Sequence, residues 1–474
     1  MIMVGGLGLS YSRFHAETAL SLYGLHCKEH IVRRFRILAL IIAAFITVPA
    51  SGQAVKPENA LKKYVTRPDK SFKWVHRRTV KKGNSRVSEL ILTSQTWKKI
   101  VWKHQLFVIL PAKVEPTKHA LLFVTGGSWK KELETGPAQP LRRDAQIFIQ
   151  LADRLQTPVA VLLHVPQQPI FDGKKEDQII SLTFERYMLT GDSEWPLLLP
   201  MAKSAVRAMD AVQAYAKKEW KRDIQTFTIT GASKRGWTTW LTGAVDKRAT
   251  AIAPIVIDML NMKEHLPYQV KVWGKPSYKI GDYTKRGLHL VLNTKPGKAL
   301  QRIVDPYHYR KQLTQPKLLI IGTNDHYWPL DSLNLYWKDL VGPKYILYVP
   351  NNRHGIRDLT RLVGSLNALH RAAAFGHSLP KLNWNFAKSG RDMKLTMNSN
   401  VVPTKMRLWT VKSDTRDFRY STWTSQEINR PSKSVASTIT RPSSGNIAAF
   451  GEYEFGTGSK RYFLSTNVRV FAGE

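Results

Sequence analysis

Ser233, Asp325 and His354 lie far apart in this 474-residue chain, yet their types and order are those that acyl transfer at a serine requires. An unassisted hydroxyl is a poor nucleophile. It needs an imidazole to take its proton, a carboxylate to hold that imidazole in one tautomer, and backbone donors for the oxyanion. On a doubly wound sheet these groups arrive in the order serine, acid, histidine, each beyond the carboxyl end of its own strand. Ser233 sits in "TITGASKRGWTTWL" (228–241) after a β-branched run, Asp325 ends "KLLIIGTND" (317–325), and His354 follows in "YVPNNRHG" (348–355).

Each residue alone has an ordinary explanation. A serine between glycines after a strand caps the next helix more often than it attacks a substrate. An aspartate ending a strand is usually a turn residue. Three such residues in the right order shift the balance toward a serine nucleophile. Gly126 and Gly127 end an earlier apolar run, and the amides of Gly127 and Lys234 are the expected oxyanion donors. The usual Gly-x-Ser-x-Gly elbow is altered, because Arg235 stands two residues after Ser233 and glycine comes one later, at Gly236. Arg235 is expected to point into the site as an anion-binding group, with Tyr327 and Trp328 as further substrate contacts. Asp258, ending "PIVID", is the reserve acid, Asp305 is another acid within reach, and Trp237 is read as core. No cofactor or metal is expected. "TKPGKAL" puts Leu292 where a phosphate loop needs glycine, and beyond residue 54 no Cys/His cluster has metal-ligand spacing.

The elements that must position these groups follow from periodicity. "VSELILTSQTW" and "KHQLFVILPA" alternate as antiparallel strands. "HALLFVTGGS" (119–128), "PVAVLLHVP" (158–166), "ATAIAPIVI" (249–257), "PKLLIIGTND" (316–325) and "PKYILYVPN" (343–351) read as buried strands of a mostly parallel sheet. Helical segments alternate with them, at 144–156, 198–220, "LDSLNLYWKDLV" and "DLTRLVGSLNALHRAAAFG". This predicts a doubly wound α/β fold of the α/β-hydrolase type, with residues 259–315 as a cap insert. Turn-separated short strands after 380 predict a β-sandwich-like domain over 381–474, so the hydrolase-type domain spans 55–380.

Composition sets the class and the surroundings. With 43% hydrophobic and 23% charged residues the chain is globular, and its formal charge is +37. Nucleic acid has no accompanying motif and is an unlikely partner. An anionic membrane or lipopolysaccharide surface is the alternative partner to a small-molecule or peptide/ester substrate, with Lys62, Lys63, Arg77 and Arg78 as its densest candidate patch. Arg33, Arg34 and Arg36 precede an apolar run of about 12 residues and small residues up to Ala54, the form of a secretory leader. The run is too short to span a bilayer comfortably, although an uncleaved anchor is the other reading. A periplasmic or secreted location is expected. The only cysteine, Cys27, precedes that leader, so no disulfide is expected afterwards.

At "WPLLLPMAKSAVRAMD", "ITGASKRGWTTWL", "LLIIGTNDHYW" and "KYILYVPNNRHG" the chain resembles the PhoPQ-activated pathogenicity-related family of bacterial α/β-hydrolase-like proteins. The likeness extends to "RLWTVKSDTRDFR" in the β-rich tail. It implies an exported hydrolase-fold protein, linked by name to virulence regulation, and places serine, acid and histidine at Ser233, Asp325 and His354. The Ser-x-x-Gly elbow is also similar to that of glucuronoyl esterases, which implies ester hydrolysis as the reaction class.

Overall fold

Ser233 owes its position to β6, which lies between β4 and β7 in a nine-stranded sheet of order β1-β2-β3-β5-β4-β6-β7-β8-β9. The computed structural model describes residues 55–137, 140–141 and 145–473; the leader at 32–54 and Cys27 lie outside them. The chain enters through α1 (Pro57–Thr66) and an antiparallel meander of β1 (Lys73–Lys82), β2 (Ser85–Trp97) and β3 (Ile100–Leu110). Then come β4 (His119–Val124), α2 (Ala145–Leu155), β5 (Val159–Leu162), α3 (Asp177–Thr190), α4 (Leu198–Trp220), β6 (Thr226–Ala232), α5 (Lys234–Val245) and β7 (Ala249–Ile255). An insert holding α6 (Met262–Trp273) and α7 (Lys295–Val304) leads to β8 (Lys317–Gly322), β9 (Lys344–Val349) and α8 (Leu359–Phe375). From β5 to β9 all pairings are parallel, and β5 meets β3 antiparallel.

Alternation along the central strands divides the core. Ala120, Leu122 and Val124 of β4 face one cluster, with α1, α4 and α5, while Leu121 faces the other, with α2 and α8. Helices therefore cover both faces, as the predicted fold class requires. Around residue 380 the chain passes into two antiparallel sheets. One holds β10 (Leu382–Ser389), β11 (Asp392–Ser399) and β14 (Ser434–Ile439). The other holds β12 (Lys405–Ser413), β13 (Thr424–Glu427), β15 (Asn446–Phe455), β16 (Tyr462–Ser465) and β17 (Arg469–Ala472). Side chains of this region join the two existing clusters: Phe418 and Trp423, between β12 and β13, and Phe450 enter the first, Leu395, Met406 and Tyr453 the second.

Three differences from the sequence expectations have local causes. "LDSLNLYWKDLV" forms two 3-10 turns, Ser332–Leu335 and Trp337–Asp339, instead of one helix. The Lys344 ammonium donates to the Trp337 and Leu340 carbonyls (2.6 and 2.8 Å), which are thereby satisfied without a continuing helix. The basic stretch at 61–82 holds α1 and β1. Strand β1 lies at the sheet edge, with no buried residue, so no apolar alternation marks it. Half of the candidate anionic-surface patch is also committed within the chain. Arg77 donates to the Leu133 and Gly136 carbonyls and Arg78 pairs with Glu89, leaving Lys62 and Lys63 exposed.

The turn after β6 depends on two glycines. A Cβ at Gly231 would lie 2.8 Å from the Val124 carbonyl oxygen, and one at Gly236 would lie 2.7 Å from Ile257 Cγ2 and 2.9 Å from the Ile255 oxygen. Helix α5 thus makes its close approach to the sheet at the third residue after the serine, where the shifted glycine stands. Gly236→Ala is expected to cost about 1–3 kcal/mol through forced separation of α5 from β7, read as a lower denaturation midpoint; an unchanged midpoint would show that the helix has room.

Candidate active site

The backbone at Ser233 has φ 58° and ψ −122°, a conformation L residues rarely adopt, costing on the order of 1–3 kcal/mol. The strain turns the chain sharply from β6 into α5. The Ser233 amide donates to the Ile255 carbonyl (2.8 Å), and its side chain caps nothing. The N-cap explanation for this serine therefore fails. Its Oγ lies 2.9 Å from Nε2 of His354, whose Nδ1 lies 2.8 Å from Oδ2 of Asp325. With the Nδ1 proton facing the carboxylate, Nε2 presents its lone pair to the hydroxyl.

Each partner is held from several sides. The other Asp325 oxygen accepts the Tyr327 amide (2.9 Å), and the carboxylate is 3% exposed. That turn lays the Tyr327 ring over His354, with centroids 4.3 Å apart. At Gly322 a side chain would collide with the Asn352 and Arg353 carbonyls, so the glycine lets the histidine loop pass over the end of β8. Two asparagines that sequence reading did not single out tie these loops to the C-terminal region. Asn324 donates to the Ser421 carbonyl (2.7 Å), while Asn351 donates to the Trp423 carbonyl (3.0 Å) and accepts its amide (2.8 Å). The only hint in the sequence was their position, each within three residues of Asp325 or His354.

Asp258 does not reach the imidazole. It is buried under the site, accepts the Tyr336 hydroxyl (2.7 Å), and burial, with Asp325 and Asp331 nearby, pushes its carboxyl up to about 8. Asp305 likewise belongs to the scaffold, accepting the Met262 (2.8 Å) and Tyr307 (2.9 Å) amides.

Arg235 does not point into the site as an anion-binding group, contrary to expectation. Its guanidinium faces inward, only 8% exposed, forming two 2.7 Å bonds to Glu176 and another to the Val165 carbonyl. Its charge is spent there, so it offers nothing to a substrate anion. It packs directly under Gly126, where any Cβ would strike it. Lys234 is matched as well, its ammonium 2.9 Å from Asp177. The Lys234 amide begins α5, while Gly127 (φ 119°) ends the β4 loop against His164, its carbonyl accepting Gln168 (3.2 Å).

Beside the serine lies a cavity of about 120 Å³. Ser233, Lys234, Tyr327 and Trp328 meet it, Trp237 forms part of its wall, and the insert supplies Met262, His265, Leu266, Tyr283 and Leu288. Trp237 is also core, its indole donating to the Val304 carbonyl (2.6 Å). Neither Arg235 nor Gly127 lines the cavity. Among the described residues no group of acidic, histidine and cysteine side chains could hold a metal ion.

The PhoPQ-activated pathogenicity-related protein family matches residues 61–419, short of the final strands. Autocrine proliferation repressor protein A of Dictyostelium discoideum is 32% identical over 430 residues, covering 83% of this chain and 85% of that one. Among solved structures, acetyl xylan esterase 1 from Thermoanaerobacterium sp. JW/SL YS485 has TM-score 0.45 and 12% identity, covering 68% of this chain and 96% of its own. The acetyl xylan esterase from Paenibacillus sp. R4 has TM-score 0.43 and 10% identity, covering 64% and 89%. At these scores the correspondence is loose, and the α/β fold stands on the strand order above.

Glu176 gives the site a pH signature. Burial would raise its carboxyl, but hydrogen bonds and charge from Arg235, aided by Gln168 and Lys234, overcome this and hold it at about 2 against an ordinary 4.5. A depressed carboxyl stabilises the fold above its unfolded value and loses that contribution as pH falls from about 4.5 to about 2. Thermal midpoints of the parent are therefore expected to fall more steeply over that interval than those of Glu176→Gln; parallel curves would remove the Arg235–Glu176 pair as the cause.

Proposed function

The chain belongs to the PhoPQ-activated pathogenicity-related protein family, and from that premise we propose that it is a serine hydrolase cleaving a small, uncharged ester through an acyl-enzyme. The observation that carries this is the unbroken Asp325–His354–Ser233 chain of bonds, 2.8 and 2.9 Å long, at the wall of an apolar cavity. His354 takes the Ser233 proton as Oγ attacks the carbonyl, and then passes it to the leaving alkoxide. Asp325 keeps the imidazole in the tautomer that accepts at Nε2 and stabilises the imidazolium formed. The Lys234 amide, at the start of α5 and on the cavity wall, receives the oxyanion. Water, activated by the same imidazole, releases the acid.

An uncharged substrate fits because the two cations that follow Ser233 in the chain are already paired, Lys234 with Asp177 and Arg235 with Glu176. A carboxylate-bearing substrate could use either of these two cations only by breaking its pair. Export is part of the same proposal, resting on the Arg33–Ala54 pattern. Amino-terminal sequencing of the mature protein checks it, and a start ahead of Arg33 would overturn a cleaved leader.

A fluorophosphonate probe is expected to label the parent and not Ser233→Ala; equal labelling of both would assign the nucleophile elsewhere. Asp325→Asn leaves the imidazole in the wrong tautomer and is expected to lower kcat for a 4-nitrophenyl ester by about 10³–10⁴-fold. A loss below tenfold would show that the three residues do not act as a unit.

A further inference from the structure

A second cavity, of about 800 Å³, lies where the C-terminal sheets meet the 3-10 turns at 332–339. It shares no lining residue with the cavity beside Ser233. Its size is within the range of ligand pockets, about 300–1,000 Å³. The consecutive residues Leu382 to Phe386 of β10 border it, as do Arg469 to Phe471 of β17. Strand β10 pairs only with β11 and β17 only with β15, so both are edge strands whose outer N–H and C=O groups meet no neighbouring strand. Trp337 and Trp384 stand in the wall, centroids 6.1 Å apart and planes at 32°. Lys344 steadies the first, its ammonium donating to the Trp337 carbonyl (2.6 Å) and lying 4.9 Å from the ring centroid. Both indoles are half-buried, and neither Nε1 is sealed in the interior or bonded to a protein acceptor. The charge here is one-sided. No acidic side chain lines the groove, and the exposed Lys338 and Arg469 have no acidic partner among the described residues. The polar cavity between α3 and the insert differs, setting Asp172, Glu185 and Asp282 among its cations.

We infer that this groove binds an acidic oligosaccharide, its sugar rings lying on the indoles and its carboxylates meeting Lys338 and Arg469. A pyranose ring presents a flat C–H face and a rim of hydroxyls. The aromatic surface takes the C–H face. The indole N–H groups and the outer backbone of β10 meet the hydroxyls. A single-stranded nucleic acid also combines rings with negative charge. It brings one phosphate per nucleotide, however, and two free cations are too few to follow such a backbone. A purely apolar guest would cover the N–H groups without bonding them. The groove stands apart from the reaction at Ser233, and the inference does not rest on it.

Isothermal titration calorimetry on the full chain compares cellotetraose with its C6-oxidised form, which differ only in carboxylates. The oxidised tetramer is expected to bind about tenfold more tightly at low salt, with the margin shrinking as salt rises. Lys338→Ala combined with Arg469→Ala is expected to bring the two affinities within about twofold of each other, leaving hydrolysis of a 4-nitrophenyl ester unchanged. Trp384→Ala is expected to weaken both ligands about tenfold, through loss of one stacked ring. Lys62→Ala combined with Lys63→Ala, exposed cations outside the groove, is expected to alter neither. Should Trp384→Ala fail to fold by circular dichroism, the Lys338 and Arg469 replacements, made on exposed side chains, carry the test. No binding of the oxidised tetramer, or binding that survives the groove replacements, overturns the inference. An equal loss in the Lys62 and Lys63 variant also overturns it, by assigning the attraction to diffuse surface charge. Tighter, Trp384-dependent binding of an oligothymidylate does so too, by making the occupant a nucleic acid. A chain that binds the oxidised tetramer yet hydrolyses no ester loses the hydrolase reading and keeps the groove.

Discussion

The bond between Asp325 and His354 is the constraint on which the site depends, because it joins two loops that no strand pairing aligns. Strands β8 and β9 run side by side, but their ladder ends at Gly322 and Val349, before either Asp325 or His354. Beyond that point alignment comes from two backbone bonds, the Thr323 amide to the Val349 carbonyl (3.1 Å) and the Asn324 amide to the Asn352 carbonyl (2.9 Å), together with side chains and a bare glycine. Asn324 and Asn351 fasten the loops to the backbone at 421–423, the Tyr327 amide fixes the carboxylate, and Gly322 lets the backbones cross. The C-terminal segment therefore supports the site at the place where the sheet no longer can. This gives a physical reason for its shared core: a loosely attached appendage could not hold an imidazole to within hydrogen-bonding tolerance.

A second constraint explains the altered elbow. A nucleophile elbow needs a small residue where helix and strand nearly touch, and in this chain that contact falls at Gly236. The intervening position is then free to carry a large side chain, provided it points away from the pocket. Arg235 does so, reaching under Gly126 to Glu176 and the Val165 carbonyl. One guanidinium thereby links the β4 loop, the β5 loop and the start of α3 beneath the serine. Its burial is tolerable because the charge is met by a bidentate carboxylate and a carbonyl.

Much of this was legible in the sequence, and the exceptions share a cause. Strands β4, β5, β7, β8 and β9 are largely apolar runs because both faces are covered, and the periodicity of α4 is visible from Leu198 to Trp220. Ser233, Asp325 and His354 were identifiable from chain order, since a doubly wound sheet restricts where loops emerge. The roles of Arg235 and of the two asparagines were not, because they depend on a partner's position in space. Nothing in "GASKRGW" reveals that Glu176 lies opposite. Edge strand β1 and the 3-10 turns at 332–339 were missed for a related reason. One buries no face, and the others end where a distant lysine captures their carbonyls.

The formal charge and the site point in different directions. A surplus of +37 would suggest an acidic ligand, yet Lys234 and Arg235, directly after Ser233, are neutralised by paired acids and the cavity walls are mostly apolar. Part of the surplus never reaches the surface. Lys203 and Lys317 are fully buried, donating to main-chain carbonyls, and burial lowers them to about 8 and about 7. The remaining surface charge acts over distances that salt screens within about 10 Å, whereas the cavity at the serine offers mainly apolar contacts. Net charge therefore describes what the protein's exterior meets, while the cavity beside Ser233 is walled mostly by apolar side chains.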